Sequence, residues 1–523
     1  MMHLASALLL LLAASASALP TVSFTPTYPF DIMAREVASV KKVTEARLAD
    51  PKQYDDRSTN PYSIRYAVYN FALDWEDLYS AVIDARNANV EVQVMVDDGQ
   101  LGPNRDYNKG LQALKDAGFL YEASQKNLTV AEQEAAELIG VDCEGIMHLK
   151  TRLFAWLDED GQERKEFMTG SFNPELGADT GVPMPNNDTL VSFEIGGEAG
   201  DEYLELFERY EEKYLAVRSD SSVVNSFDPE KQINALFSPD AEGTQAVDQL
   251  ITWIDEEQDV VLVWVFTLRN VMSHNLGNRT LYDGLVEAKE RGAVVVVATD
   301  KNMVEQSDHK FTDDLRAKGI DVYWCENDVG EFHAMHNKNA VFGAREIKTV
   351  SGSCNWSGSA MGSDYHEVPI NDEDTLWLTG DDAVGMQFTS NFLAVLRSYE
   401  SQQAEAERKV EEIVGDLGLV EGWRTVTVRV AVEGGEGGGG MVVSLGGESA
   451  ALELEGGVWG GEIKLPFGSA GDLRYELDGQ DVGGLRLVAD VFLPVVDDRV
   501  AVQSADVEAE GGLVLAVVDS IKS

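Results

Sequence analysis

The sequence predicts an α/β protein in which two duplicated α/β/α lobes form one active site and a β-sandwich follows at the C-terminus. An amphipathic helix followed by an apolar strand that ends in an acidic residue occurs twice, within residues 78–97 and 281–300. Two polar motifs follow each of these units in the same order. After residue 423 the sequence changes to short alternating segments bounded by glycine, a pattern typical of antiparallel sheets.

The helix and strand units agree between the two halves. Apolar side chains recur at helical spacing at Leu78, Ala81, Val82 and Ala85, and again at Leu281, Gly284, Leu285 and Ala288. The strands predicted after these helices end at Asp97 and Asp300. Repetition of the same unit indicates that the main body of the chain is an internal duplication.

Two polar motifs recur in both halves. The first copy has His148-Leu149-Lys150 and Gly170-Ser171-Phe172-Asn173, and the second has His336-Asn337-Lys338 and Gly352-Ser353-Cys354-Asn355. The two histidines lie 188 positions apart and the two first glycines 182. Downstream, Asp188-Thr189-Leu190 matches Asp374-Thr375-Leu376 at an offset of 186. Each motif alone is common, but both together, twice, indicate one active site built from two halves.

The motif residues suit group transfer at a phosphodiester. A neutral imidazole is a nucleophile and an imidazolium is an acid, so His148 and His336 could divide these roles across one phosphate. Lys150 and Lys338 would project from the same strand face as the histidines and neutralise phosphate charge. Neutral donors for the non-bridging oxygens are supplied by Ser171, Asn173, Ser353 and Asn355. This chemistry requires no metal and no other cofactor.

The doubled pattern resembles the phospholipase D superfamily of phosphodiesterases over about residues 35–400. In that family each His-x-Lys is followed, after four residues, by Asp, and the two copies meet at a pseudo-twofold axis. This chain departs from the pattern because Ala155 and Gly343 stand where the family has Asp. The family's Asp is regarded as structural, so the departure bears on the geometry of the motif more than on catalysis.

The resemblance implies a role for each histidine. His148 would be the nucleophile that forms a phosphohistidine intermediate, and His336 the general acid and later the base that activates water. Family members also place an acidic residue after Gly-Ser-x-Asn, where it orients a catalytic histidine through its second ring nitrogen. Asp188 and Asp374 are the candidates for this role, and Glu373 is the alternative to Asp374.

The N-terminal residues and the composition suggest how the chain is divided. Residues 1–18 predict a signal peptide with an apolar run before Ala16-Ser17-Ala18, so we expect a secreted or periplasmic protein. A short membrane anchor is the alternative, because the segment has no Lys or Arg. The predicted units are lobe 1 at 35–218, lobe 2 at 232–402, a helical linker at 403–423 and a β-sandwich at 424–523. We expect the chain to be monomeric.

The acidic composition restricts the partners. With 91 acidic and 41 basic residues the formal net charge is −50, and the resulting field repels polyanions. A phospholipid or a membrane surface is therefore the expected substrate or partner, and nucleic acid is disfavoured.

Two alternatives to a phospholipid hydrolase remain. The first is a metal-independent nuclease, which needs a basic cleft. Its candidate basic residues, by closeness in sequence to the motifs, are Arg152, Arg164, Lys165, Arg345 and Lys348. The second is an inactive binding protein that acts through its C-terminal β domain. Residues 459–476 of that domain weakly resemble starch-binding-type carbohydrate modules, so carbohydrate is its candidate partner.

The remaining cysteines and histidines are predicted to lie outside the chemistry. The cysteines are Cys143, Cys325 and Cys354, whose spacing matches no metal site. Cys354 lies inside a motif but is predicted to be a small buried residue. His274, His309, His333 and His366 are likewise expected to lie outside the chemistry.

Overall fold

A computed structural model describes most of the chain between residues 20 and 398 and eight strands beyond it. The described residues are 20–25, 32–54, 59–72, 75–101, 108–122, 136–174, 186–195, 201–240, 245–306, 309–326, 334–344, 346–362, 370–380, 382–398, 424–432, 441–445, 448–455, 458–465, 473–477, 480–485, 504–509 and 513–520. The predicted signal peptide and linker, His333, Arg345 and His366 lie outside these residues. The predicted domain boundaries and the monomeric state stay predictions.

The first lobe contains an eight-stranded mixed sheet with helices packed on it. Its strands are β1 (Thr21–Phe24), β2 (Ser63–Val68), β3 (Glu91–Asp97), β4 (Tyr121–Glu122), β5 (Leu138–Val141), β6 (Lys150–Leu157), β7 (Glu163–Gly170) and β8 (Thr189–Ile195). Its helices are α1 (Ile32–Ala49), α2 (Glu76–Asn87), α3 (Lys109–Asp116) and α4 (Asp201–Arg218), with a 3₁₀ turn at Asp98–Gln100. The strand order is β1-β8-β7-β6-β2-β3-β5-β4.

The second lobe contains a seven-stranded sheet and a separate two-stranded ribbon. The sheet strands are β9 (Ile233–Ser238), β10 (Val260–Val265), β13 (Val294–Asp300), β14 (Asp321–Cys325), β15 (Lys338–Phe342), β16 (Lys348–Gly352) and β17 (Glu373–Leu378). The ribbon is β11 (Met272–Ser273) with β12 (Arg279–Thr280). The helices are α5 (Ala246–Glu256), α6 (Leu281–Arg291), α7 (Lys301–Glu305), α8 (Lys310–Ala317), α9 (Gly358–Met361) and α10 (Asp382–Ser398).

The two sheets repeat one topology, which confirms the predicted duplication. The second sheet has the order β14-β13-β10-β15-β16-β17-β9, which matches the order β5-β3-β2-β6-β7-β8-β1 strand by strand. In both lobes two neighbouring pairs are parallel, and the strands beyond them are antiparallel. The first lobe adds β4 at its edge.

The helices form where the apolar spacing predicted them. On α2 the buried side chains are Leu78, Ala81, Val82 and Ala85. On α6 the matching face is also buried, and Thr280 and Asp283 form a capping box at its first turn. Gly292 ends α6 with φ 101°, a left-handed conformation that glycine adopts without a Cβ penalty. These helices hold β3 and β13 in place, and each strand ends in its acidic residue.

A shared apolar core joins the lobes. One buried cluster takes residues from both sheets and from α4 and α10. The Phe24 and Phe388 rings meet edge to face at 5.3 Å, and Tyr210 meets Phe237 at 5.2 Å. Burial of aromatic surface on this scale fixes the two sheets against each other, so residues at their facing edges are brought together.

The strands after residue 423 form an antiparallel array. They are β18 (Arg424–Val432), β19 (Met441–Leu445), β20 (Glu448–Glu455), β21 (Val458–Leu465), β22 (Leu473–Leu477), β23 (Gln480–Leu485), β24 (Ser504–Ala509) and β25 (Leu513–Ser520). Their pairing order is β23-β22-β19-β20-β21-β18-β25-β24. The β-rich character follows the sequence pattern, and the packing of these strands into a sandwich stays a prediction. Within the described residues, no helix has the length and apolar character needed to cross a bilayer.

A buried ion pair between α1 and β6 of the first lobe predicts a large loss of stability on mutation. Arg152 and Glu36 are both fully buried, and two guanidinium nitrogens meet the two carboxylate oxygens at 3.1 and 3.0 Å. Glu36→Ala would leave the arginine charge buried without its partner, so we expect unfolding free energy to fall by about 3–5 kcal/mol in denaturant titrations. The control is Glu194→Ala, which breaks the exposed Lys42–Glu194 pair and should cost at most about 1 kcal/mol. Equal losses in the two variants would contradict this reading of the core.

Candidate active site

Both motif histidines lie just before a strand and are attached to the opposite lobe. The backbone N–H of His148 donates to Asp372 O at 2.9 Å, and that of His336 donates to Asn187 O at 2.8 Å. Short bridges between Met147 and Asp372 and between Asn187 and Met335 continue these contacts. Each histidine is therefore positioned by its own strand and by a segment of the other lobe.

Each imidazole also meets a carboxylate from the opposite lobe. His148 Nδ1 lies 2.9 Å from Glu373 Oε2, and His336 Nδ1 lies 2.7 Å from Asp188 Oδ1. All four side chains are buried, with His148 and His336 each 7% exposed. A carboxylate on Nδ1 holds the ring orientation and leaves Nε2 for the reacting atoms. The structure thus brings the two predicted histidines into equivalent settings.

The prediction that Asp374 orients a histidine is corrected by this geometry, since Glu373 occupies that place. Asp374 Oδ2 instead accepts from Thr169 Oγ1 at 2.7 Å and from the Tyr210 hydroxyl at 2.8 Å. Alignment of the Asp-Thr-Leu segments gave an offset of 186, but Gly170 pairs with Leu190 and Gly352 with Thr375, an offset of 185. Because side chains alternate along a strand, a slip of one residue turns the carboxylate to the other face.

The two lysines are buried beside the histidines. Lys150 and Lys338 are the first residues of β6 and β15, and each is at most 1% exposed. Lys150 Nζ donates to His148 O at 2.7 Å, and Lys338 Nζ donates to His336 O at 2.6 Å. Burial and the charge of Lys150 lower the pKa of Lys338 well below its ordinary value. Two buried lysines beside each other make the site a receptor for an anion, because a negative charge favours the ammonium form of both.

The motif serines have a role different from the predicted one. Ser171 Oγ donates to Asp188 at 2.6 Å, and Ser353 Oγ donates to Glu373 at 2.7 Å. A hydroxyl has one proton, so neither serine can donate to a phosphate oxygen while it holds its carboxylate. The prediction of Ser171 and Ser353 as phosphate-binding residues is therefore corrected. They fix the carboxylates that in turn fix the histidines.

The glycines and asparagines of the same motifs complete the site. Gly170 and Gly352 have φ values of 147° and 125°, and a Cβ at either would lie within 2.5 Å of a carbonyl on the neighbouring strand. Glycine is required there for the close approach of two strands. Asn173 is 7% exposed, and Asn355 Oδ1 is buried without a hydrogen-bond partner among the described residues. Both asparagines lie two residues after the serines in the chain.

The electrostatic settings of the two half-sites differ. Burial and the nearby lysines lower the pKa of His148 well below its ordinary value, and they lower that of His336 to about 4. Burial alone would raise the pKa of Asp188, but the facing His336 and Lys338 lower it. Burial raises the pKa of Glu373 to about 7, despite the opposing effects of Lys150 and Ser353. At neutral pH His336 therefore faces an ionised carboxylate, and His148 faces one that is partly protonated.

Sequence reasoning missed two pairs of supporting residues. Asp97 accepts from Met147 N at 3.0 Å and Asp300 from Met335 N at 3.3 Å, so each fixes the residue before a histidine. The signal was the acid at the end of an apolar strand in both halves, although its role was not inferred. The second pair is aromatic. Tyr69 and Phe266 pack against the imidazoles of His148 and His336, and no sequence motif marks them.

The cysteines and the histidines outside the motifs form no metal site or disulfide among the described residues. Cys143, Cys325 and Cys354 are free thiols, and Cys354 is buried. His274 and His309 are exposed. No group of three or more His, Cys, Asp or Glu side chains suited to a metal ion occurs among the described residues.

Comparison with known proteins gives one family match, to a model described as cardiolipin synthase, PLD-like domain, at residues 250–393. No curated protein matches the chain.

Three solved structures are similar to parts of this chain. Phosphatidylserine synthase from Haemophilus influenzae Rd KW20 matches with 11% identity over 76% of this chain and 94% of that chain, with a TM-score of 0.42. Polyphosphate kinase from Porphyromonas gingivalis matches with 15% identity over 72% of this chain and a TM-score of 0.42. The match covers 50% of the kinase chain. Yeast tyrosyl-DNA phosphodiesterase matches with 12% identity over 61% of this chain and 83% of that chain, with a TM-score of 0.36.

The two carboxylates predict different effects of pH on stability. The pKa of Glu373 rises from 4.5 to about 7 on folding, so its contribution to stability is present below the unfolded value and is lost as pH rises through 7. Glutamine does not ionise, so Glu373→Gln abolishes this pH-dependent loss of stability. Its unfolding free energy, relative to wild type, should therefore increase by about 2–3 kcal/mol between about pH 5 and pH 8.

The matched control for this measurement is Asp188→Asn. The lowered pKa of Asp188 keeps this carboxylate ionised in the folded and unfolded chains over that whole range, so its contribution is lost only as pH falls below 3.8. The difference between Asp188→Asn and wild type should stay constant between about pH 5 and pH 8 in denaturant titrations. The assignment fails if both variants show the same pH dependence.

Proposed function

Since this chain belongs to the phospholipase D superfamily of phosphodiesterases, we propose that it hydrolyses the headgroup ester of a phospholipid through a covalent phosphohistidine. The observation that carries the proposal is the pair of buried histidines, each held by a carboxylate of the other lobe and each beside a buried lysine. The same geometry supports phosphodiester cleavage in general, and the choice of a lipid rests on further arguments given below.

The difference between the half-sites supports His148 as the nucleophile. Burial and two neighbouring ammonium groups keep its imidazole neutral, and the partly protonated Glu373 does little to favour a charged ring. A neutral Nε2 can attack phosphorus, forming the nitrogen–phosphorus bond as the bond to the leaving oxygen breaks. Lys150 and Lys338 offset the charge that builds on the non-bridging oxygens.

His336 is suited to the acid role. Its partner Asp188 is ionised and stabilises an imidazolium, and the arriving phosphodiester anion raises the pKa of His336 from its value of about 4. The imidazolium donates its Nε2 proton to the leaving alcohol. In the second step neutral His336 takes a proton from water, the water oxygen attacks phosphorus, and the bond to His148 breaks.

Charge favours a lipid over nucleic acid as the substrate. The net charge of −50 repels polyanions, and the described basic residues near the motifs are committed to acidic partners. Arg152 is fully buried against Glu36. Arg164, Lys165 and Lys348 pair with Asp158, Glu163 and Glu256, respectively. The description of the matching family model, cardiolipin synthase, also points to lipid phosphodiesters.

Location and accessory function complete the proposal. Residues 1–18 have the pattern of an export signal, so we place the enzyme outside the cytoplasm, where it would meet membrane lipids. Carbohydrate binding by residues 424–523 stays a hypothesis about where the enzyme is held. The inactive alternative finds no support in the site, because both His–Lys pairs keep their partners.

We expect turnover of a mixed-headgroup phospholipid panel in EDTA, and its loss by at least about 10³-fold in His148→Ala and in His336→Ala. With a p-nitrophenyl phosphodiester, whose leaving group needs no proton, His336→Ala should still release one equivalent of nitrophenol and accumulate phosphohistidine. His148→Ala should release none. Single-stranded DNA serves as the competing substrate. Cleavage of DNA but not of lipid would move the protein to the nuclease alternative, and activity retained in His148→Ala would contradict the mechanism.

A further inference from the structure

An aromatic residue packs against each catalytic histidine at equivalent positions of the two lobes. Tyr69 directly follows β2 and Phe266 directly follows β10. Val68 pairs with Lys150 across β2 and β6, and Val265 pairs with Lys338 across β10 and β15. Tyr69 and Phe266 are therefore related by the internal duplication.

Backbone hydrogen bonds attach both residues to the motifs. Tyr69 N donates to Leu149 O at 3.0 Å, and Phe266 N donates to Asn337 O at 2.8 Å. Each acceptor lies between the histidine and the lysine of a motif. The backbone at both positions is therefore held by the motif itself.

The rings lie in contact with the reacting groups. The Tyr69 ring centroid is 5.5 Å from that of His148, and the Phe266 centroid is 4.8 Å from that of His336. Lys150 Nζ lies 5.9 Å from the Tyr69 centroid, and Lys338 Nζ lies 5.2 Å from the Phe266 centroid. Both rings are partly exposed, whereas the histidines and lysines are buried. The two rings are therefore the partly exposed walls of the site, one beside each histidine.

The two walls differ by one oxygen atom. Only the wall beside His148 has a hydroxyl, so the duplicated site is chemically asymmetric at this position. The motif serines cannot supply a hydroxyl donor to the phosphate, because Asp188 and Glu373 already accept their protons. The ring that carries this hydroxyl packs against His148, the side on which charge increases as the fifth bond to phosphorus forms.

Resting on the proposed function, we propose that Tyr69 is a further catalytic residue, whose hydroxyl donates a hydrogen bond to a non-bridging phosphate oxygen during attack by His148. The proton stays on Tyr69 throughout, so no bond in the tyrosine is made or broken. A donor that strengthens its bond as charge develops lowers the barrier more than it tightens ground-state binding. Phe266 lines the side on which the alcohol leaves and offers only an apolar face.

The test compares Tyr69→Phe with wild type on the phosphodiester that wild type cleaves best. We expect kcat to fall by about 10- to 100-fold with KM changed by less than about 2-fold, as for loss of one oxyanion donor. Orthovanadate, which imitates five-coordinate phosphorus, should bind more weakly by a similar factor, while inorganic phosphate should bind about as in wild type. A purely structural role for the ring would leave these two ligands equally affected.

Two further variants keep the test decisive. Tyr282→Phe removes a tyrosine hydroxyl on α6, outside the described site, and should leave kcat as in wild type. The double variant Tyr69→Phe with Phe266→Tyr moves the hydroxyl to the leaving-group side and should stay as slow as Tyr69→Phe alone. A kcat of Tyr69→Phe within about 2-fold of wild type, or recovery in the double variant, overturns the role of Tyr69. Failure of wild type to cleave any phosphodiester would instead refute the proposed function.

Discussion

The exchange of carboxylates between the lobes is the interaction on which the site depends. Glu373 of the second lobe holds His148 of the first, and Asp188 of the first holds His336 of the second. Each carboxylate is fixed by a serine of its own lobe, so the order of support runs from serine to carboxylate to the opposite histidine. Neither lobe contains a complete half-site. The apolar core that joins the sheets is therefore part of the catalytic apparatus, because it keeps both exchanges in register.

A second set of polar contacts crosses the same interface one residue further along each strand. Thr189 Oγ1 donates to Asn337 Oδ1 at 2.7 Å and accepts from Asn339 Nδ2 at 2.7 Å, whereas Asp374 accepts from Thr169 and Tyr210. Thr189 and Asp374 occupy equivalent positions but use different chemistry for the same purpose. Strand alternation explains the arrangement, since one residue faces the histidine and the next faces the partner lobe. Buried polar groups that are satisfied only across an interface specify a single docking of the lobes.

The sequence was sufficient for the duplication and for the residues that carry it, because apolar periodicity and repeated motifs report directly on helices, strands and shared chemistry. It failed where a single residue of register mattered. The two Asp-Thr-Leu segments align in sequence with an offset one residue larger than the offset of the paired strands. Only the pairing of β16 with β17 shows that Glu373 is the structural equivalent of Asp188. The serines were misread for a related reason, since their hydroxyls have partners that are distant in sequence. Tyr69 and Phe266 carry no motif, and their role depends on strands pairing across about eighty residues of chain.

The electrostatics of the site explain why such a costly arrangement is kept. Two ammonium groups are buried together, and the pKa of Lys338 is lowered by burial and by Lys150. Without an anion this repulsion opposes folding, and the shared core and the crossed carboxylates must offset it. In the proposed mechanism, the single negative charge of a phosphodiester bound between the histidines offsets part of the lysine charge and raises the pKa of His336, so binding would create the acid that the first step needs. The repulsion between the lysines would be relieved more fully as negative charge builds on the phosphate oxygens. This difference would stabilise the transition state more than the ground state. On the proposed mechanism, the cost of burying the empty site and its chemical competence have the same origin, the two buried lysines.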